Sequence, residues 1–184
     1  MDLDWSVLGF SGVREMMNIH PIIVHIPVAL FPASLLFYGL GIVLKRPSLC
    51  VAGRACLYLA VLGAAAAVWT GEAAEESLPH NARIHRLLEA HEQIGWWIAR
   101  LGVAAAGWSF FQRDHRPRLA PAFLALLGVV TLMVAQNGDL GGRMVYVEGA
   151  GVKAALPAVT SQPQPNDEEE PHHHDEQPHE HTHH

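Results

Sequence analysis

The sequence predicts an all-α protein, a bundle of four transmembrane helices with both termini on the periplasmic side. Half of the 184 residues are apolar, and they lie in four long runs. Charged residues are concentrated in the gaps between the runs. A run of about 20 apolar residues is what a helix needs to cross a hydrocarbon core roughly 30 Å thick. Four such helices make one bundle, so a single domain is expected.

The four predicted helices have recognisable internal features. They run from about Pro21 to Leu44, from Leu49 to Thr70, from Ile84 to Phe111 and from Leu119 to Gln136. Pro27 and Pro32 should bend or locally open the first helix. The small residues from Gly63 to Ala67 should allow close helix approach in the second. Glycines at 138, 141 and 142 are expected to end the fourth.

Composition divides the chain into three parts. Residues 1–20 are expected to be an N-terminal interfacial segment, and residues 21–152 the four-helix transmembrane domain. At the end of that domain, the alternating pattern between Gly141 and Val152 predicts an extended segment over the outer mouth of the bundle. Residues 153–184 form an acidic, His-rich tail that has too few apolar residues for a core and is expected to be disordered.

The loop charges predict the orientation. The first and third gaps carry Lys45, Arg46, Arg113, Arg116 and Arg118, whereas the second gap carries Glu72, Glu75 and Glu76. Short basic loops stay in the cytoplasm. The protein is therefore expected in the lipid bilayer of a bacterial inner membrane, with the acidic loop and both termini in the periplasm. The net charge of −6 comes from the acidic tail, and no basic surface suggests a nucleic-acid partner.

The histidines of the body lie mostly on the outer side of the predicted membrane. They are His20, His25, His80, His85, His91 and His115. All but His115, which lies in a cytoplasmic loop, map to the outer half. Descending the first and third helices brings His25 and His91 to similar depths at 1.5 Å per residue. Ionisable side chains at that depth face the bundle interior and are candidates for function.

Two imidazoles that project inward from different helices suit the axial positions of a b-type haem. His25 and His91 are the predicted ligands, and His20 and His85 are the alternative or second pair. Trp96, Trp97 and Trp108 are candidate walls of the pocket. The leading hypothesis is therefore a non-enzymatic electron-transfer subunit that holds haem b near the periplasmic face. Its expected partner is a periplasmic or membrane redox protein.

Other interpretations of the same residues remain open. His85 and Glu89 are four residues apart, as are Glu72 and Glu76, and a His–carboxylate set suits Zn, Fe or Mn. The alternative is that the histidines only satisfy backbone and carboxylate partners at the membrane surface, in a scaffold that binds nothing in its core.

The tail supports a second functional hypothesis, metal handling. Its seven histidines are interleaved with acids and are His172, His173, His174, His179, His181, His183 and His184. Neutral imidazoles in a flexible chain chelate Cu, Ni or Zn. The alternative is an affinity tag, but the interruptions by Asp, Glu, Pro and Thr are unlike the unbroken run of a tag.

Two motifs resemble a known family. The segment from His20 to Leu30, with His-Pro followed by Val-His-Ile-Pro, resembles the opening of the bacterial membrane-protein family of unknown function numbered 2231. Gly138-Asp139-Leu140-Gly141-Gly142-Arg143-Met144-Val145-Tyr146 is similar to its closing segment, and Thr70-Gly71-Glu72 also looks like the family. The resemblance covers about Asn18 to Val152, with Ile26 standing where Phe is usual.

The resemblance carries His20 and His25 as family positions and implies four helices. Some relatives are joined to Rieske or cytochrome c domains, which implies redox work at the membrane.

The loop charges give a direct test of topology. Reporters fused in the loops around Arg46 and Arg116 should read as cytoplasmic, and a reporter after Ala158 should read as periplasmic, because basic short loops are retained inside. A cytoplasmic C-terminus would remove the argument that the histidines and the tail share the periplasmic side.

Overall fold

The computed structural model describes residues 16–75, 81–112, 117 and 119–152, together with Gly9 and Val13. Across these residues all the regular structure is helical. A short helix comes first and four long ones follow: α1 (His20–Ile23), α2 (His25–Val43), α3 (Pro47–Glu75), α4 (Ala82–Phe110) and α5 (Ala120–Tyr146). The all-α prediction is thus confirmed for the described part of the chain.

A break at Val24 separates α1 from α2. Pro27 has no backbone N–H to donate to the carbonyl four residues earlier, and its ring crowds that carbonyl, so the helix opens there. The ladder resumes with the N–H of Val28, which donates to the carbonyl of Val24 at 3.2 Å. The local opening predicted at Pro27 is confirmed, whereas the helix continues through Pro32.

The interface between α2 and α3 depends on glycines of α3. Gly53 and Gly63 are buried, and each faces side chains of α2. A Cβ added at Gly53 would lie 2.8 Å from Cδ2 of Tyr38, and Ile26 and Pro27 cover Gly63. The close approach expected between Gly63 and Ala67 is therefore present.

The end of α5 corrects two expectations. The helix does not stop at Gln136, and Gly141 to Tyr146 is helical rather than extended. Buried Leu140 and Met144 continue the core-facing stripe at helical spacing, which offsets the low helix propensity of the glycines. The chain leaves the helix only further on, where Gly149 and Gly151 adopt φ values of 72° and 76° that other residues rarely take.

The four long helices pack in a ring, in which α2 contacts α3 and α5, and α4 also contacts α3 and α5. Their shared core is apolar and includes Phe31, Tyr38, Leu57, Phe123, Leu127 and Val130. At one end of the core a polar tie joins three helices. The hydroxyl groups of Tyr38 and Ser109 are 2.7 Å apart, and Nε of Arg54 donates to Oγ of Ser109 at 3.1 Å.

Three helical segments of the described residues are long and apolar enough to cross a membrane: His20–Val43, Pro47–Glu75 and Ala120–Tyr146. The fourth long helix, α4, is as long as α3, but its first turns are polar and Arg100 lies further along it. The sequence predicted four spans, and hydropathy by itself supports three.

Several predicted features lie outside the described residues. These are His80, His115, Glu76, the arginines 113, 116 and 118, and the tail with its seven histidines.

Two glycines provide a matched test of the helix interface. Gly53→Ala should destabilise the protein by roughly 1–3 kcal/mol, because the new Cβ meets both the ring and the backbone nitrogen of Tyr38. Gly128→Ala in α5 should be neutral or stabilise by about 1 kcal/mol, because nothing lies within 4 Å of its Cβ. Thermal unfolding in detergent measures both, and equal effects would contradict the close packing at Gly53.

Candidate functional site

Two histidines from different helices meet at the end of the bundle opposite the Tyr38 tie. His20 opens α1, and His91 lies in the third turn of α4. Their ring centroids are 6.2 Å apart, and the ring planes are nearly perpendicular, at 79°. Both side chains are partly buried.

The hydrogen bonds of Thr70 favour one tautomer of His20. Nδ1 of His20 lies 3.2 Å from Oγ1 of Thr70. The single hydroxyl proton of Thr70 is directed to backbone carbonyls, those of Ala66 at 2.8 Å and Ala67 at 3.2 Å. Oγ1 of Thr70 is therefore placed to accept from His20, which favours the tautomer with the proton on Nδ1 and the lone pair on Nε2.

His91 has the same protonation for a simpler reason. Its Nδ1 lies 3.0 Å from the backbone carbonyl of Asn137 in α5. A carbonyl oxygen only accepts, so Nδ1 of His91 is the donor and Nε2 keeps its lone pair. A carbonyl partner on Nδ1, as His91 has, is a usual arrangement for a histidine that binds a metal through Nε2.

A glycine makes room for each imidazole. A Cβ at Gly71 would lie 3.2 Å from Cε1 of His20, and one at Gly141 would lie 3.4 Å from Cε1 of His91. These distances are at or below the tight end of ordinary carbon contacts. The two glycines therefore allow the rings to lie directly against the backbones of α3 and α5.

Both rings line a cavity of about 540 Å³, which is within the range of roughly 300–1,000 Å³ found for cofactor and small-molecule sites. Small residues make up much of its wall, among them Ala64, Ala67, Gly71, Gly95, Gly138 and Gly141. Asn137 also lines the cavity, and its side-chain Oδ1 is buried without a hydrogen-bond partner in the described part of the chain. The site is thus mostly apolar, with a few polar atoms.

The other predicted ligands have different surroundings. His25 is exposed at the edge of the cavity, and its Nδ1 lies 2.6 Å from the carbonyl of Pro21. Nε2 of His85 lies 3.3 Å from Oε1 of Glu89, which is the four-residue pair expected from the sequence. The structure therefore brings together one member of each predicted pair, His20 and His91.

The projection of α4 beyond α1 explains why His91 meets His20 rather than His25. His91 is nine residues into α4, yet it lies beside His20, the first residue of α1. At 1.5 Å per residue, α4 projects about 13 Å beyond the start of α1. Sequence alone does not indicate how far a helix with polar first turns extends past its neighbours.

The expected tryptophan walls are also absent, because Trp96, Trp97 and Trp108 are not among the residues that line the cavity.

The donor set limits the metal chemistry. Within the described ranges no group of three or more His, Cys, Asp or Glu side chains is arranged to hold a metal ion. A bare transition metal takes three or four protein ligands, whereas a haem iron takes two from the protein. Two histidines that use Nδ1 for their hydrogen bonds within the described chain fit the second case.

The fold and its apolar helices define a helical membrane protein. Residues 16–154 match the family described as predicted membrane protein (DUF2231), and the chain belongs to that family. No curated protein and no solved structure shows significant similarity to it.

The tautomers can be tested directly. In protein labelled with ¹⁵N at histidine and kept free of ligands, NMR should find His20 and His91 in the Nδ1–H form, because Thr70 and Asn137 accept from Nδ1. Thr70→Val should weaken the preference of His20, which keeps its hydrogen bond with the backbone of Ala67, and should leave that of His91 unchanged, whereas Thr70→Ser should keep both. An Nε2–H signal for His20 in the unmodified protein would contradict the assignment.

Proposed function

We propose that this protein is a four-span membrane haem protein that transfers electrons, with His20 and His91 as the axial ligands of a b-type haem near the periplasmic face. The observation that carries the proposal is the histidine pair. Each ring uses Nδ1 to contact the protein and keeps Nε2 available, and the two rings come from different helices to one cavity.

The separation of the rings supports this choice. Two imidazoles that held one metal ion through Nε2 would have ring centroids about 6 Å apart, because a metal–imidazole bond is about 2.0 Å long. The observed separation is 6.2 Å. With His20 and His91 both holding the iron, the bound group would supply electron transfer rather than binding of oxygen or substrate.

Connectivity supports four spans although the hydropathy of α4 is low. The end of α3 lies at the histidine end of the bundle, because Thr70 contacts His20. The start of α5 lies at the other end, because the ring of Phe123 packs on Tyr38 near the end of α2. If α3 and α5 cross the membrane, the chain between them must also cross, and α4 is the long helix that makes the connection.

The charges of the two ends support the orientation. Glu72 and Glu75 line the cavity at the histidine end. Lys45 and Arg46 lie between α2 and α3 at the opposite end. Retention of short basic loops in the cytoplasm would place the histidine end on the periplasmic side, within reach of a periplasmic redox partner.

The residues of the chain have distinct roles in this proposal. His20 and His91 would hold the iron through Nε2, while Thr70 and the Asn137 carbonyl fix the orientation of their rings. The small and apolar residues of the cavity would contact the macrocycle and exclude water. The bound group would supply the one-electron chemistry.

A visible spectrum tests the proposal. Protein produced with ample haem and purified in detergent should show a Soret band and, on reduction, a sharp low-spin α band of b type. His20→Ala and His91→Ala should each lose the haem or convert it to a high-spin form, because one axial ligand is removed.

Two further histidines serve as controls. His85→Ala should leave the spectrum unchanged, because that ring pairs with Glu89. His25→Ala tests whether His20 or His25 is the partner of His91. If this variant lost the low-spin spectrum while His20→Ala retained it, the ligand would be His25, as the sequence predicted. Colourless protein under these conditions would remove the haem proposal and favour metal handling by the tail.

A further inference from the structure

Arg100 lies on the outer face of α4, where it is exposed. Its guanidinium carbon is 5.4 Å from the ring centroids of both Trp96 and Trp97. The two indoles are themselves 38% and 53% exposed. A cation held between two aromatic rings on the outside of a helix bundle is a defined surface feature.

Arg100 has no carboxylate partner among the residues that the structure describes. The ion pairs found there join Arg83 to Glu148 and His85 to Glu89, both towards the histidine end of the bundle. The indole faces attract the cation but do not neutralise it. The positive charge of Arg100 is therefore uncompensated within the described chain.

The depth of Arg100 makes this charge unusual. It lies nine residues after His91 and ten before Phe110, which is about 13 Å and 15 Å along the helix. If the four-span arrangement proposed above holds, the guanidinium is near the middle of a hydrocarbon layer roughly 30 Å thick. Charged side chains at that depth are costly unless they face protein or water.

Two other features of α4 indicate that its exposed face is covered by protein in the membrane. Among the four long helices, α4 is the one that does not qualify as a span by hydropathy. Val103, on the same exposed stripe, is 58% exposed. The outer face of α4 thus combines a charge, two indoles and an aliphatic residue, which suits a protein contact better than contact with lipid tails.

We infer that the face formed by Trp96, Trp97, Arg100 and Val103 is a docking surface for a transmembrane helix of another protein, and that this helix carries an Asp or Glu at the depth of Arg100. A carboxylate would make a charge-assisted pair with the guanidinium, and the two indoles would be the anchors of the contact. A second copy of this chain fits less well, because parallel copies meeting on this face bring two arginines together. Lipid tails supply no anion at this depth.

Photo-crosslinking in native membranes tests the inference. A photoreactive amino acid at Trp97 should crosslink to one other polypeptide, and mass spectrometry should place the crosslink on a transmembrane helix with a carboxylate within one turn. The same amino acid at Leu62, on the exposed face of α3 (67% exposed), is the matched control and should give lipid adducts. Arg100→Asp should abolish the polypeptide crosslink, and Arg100→Lys should retain part of it.

Charge exchange identifies the contact. Replacing the carboxylate of the captured helix by Arg should restore the crosslink in the Arg100→Asp background. Crosslinks to lipid or to a second copy, a captured helix without an acid, or failure of the exchange in correctly inserted protein would each overturn the inference.

Two separate readouts distinguish failure of the docking surface from failure of the proposed function. Haem content and the low-spin spectrum of Arg100→Asp should match the unmodified protein, because Arg100 is outside the cavity. Arg100→Cys should resist a water-soluble maleimide in intact membranes. Rapid labelling would show that α4 is exposed to water at this point, and it would overturn both the docking surface and the four-span arrangement.

Discussion

The close approach of helix backbones at glycines is the constraint on which the rest of the structure depends. In a membrane, helix association gains little from the hydrophobic effect, since lipid tails are as apolar as the side chains, so it relies on van der Waals packing and hydrogen bonds. Gly41 packs against Cys50, Gly53 against Tyr38, and Gly102 against Phe31. A Cβ at any of these three positions would push the neighbouring helix away.

Glycines also allow close approach at the histidine site, but there they admit imidazole rings. Gly71 and Gly141 let imidazole rings, rather than apolar side chains, reach the backbones of neighbouring helices. This contact brings Nδ1 of each ring to an acceptor and leaves Nε2 available. The packing that holds the bundle together and the orientation of the candidate ligands are therefore parts of one arrangement.

The two ends of the bundle differ in polarity and in how their polar groups are satisfied. At the end near Tyr38, Ser109 links Tyr38 to Arg54, and these groups bond to one another. At the histidine end, His20, His91 and Asn137 line a cavity, and Oδ1 of Asn137 has no hydrogen-bond partner among the described residues. A polar group that is satisfied internally stabilises a fold, whereas one left free beside a cavity is available to a ligand. This contrast favours the histidine end as the functional one.

The sequence by itself determined the elements of this protein. Long apolar runs defined the helices, and Pro27 and the Gly63–Ala67 stretch marked the opening and the close approach that the structure contains. It also identified His20 and His91 as candidates, although in separate pairs. It misjudged the end of α5, because buried Leu140 and Met144 continue the core stripe through glycines that usually end a helix, and Gly141 lies against His91.

Only the tertiary structure decided which histidines meet and what lies around them. Pairing depends on how far α4 projects beyond α1, and that offset is set by packing between helices distant in sequence. The tautomers depend on Thr70, fifty residues from His20, and on the Asn137 carbonyl, forty-six residues from His91. Local sequence encodes periodicity and caps, but contacts over such separations exist only once the helices have packed.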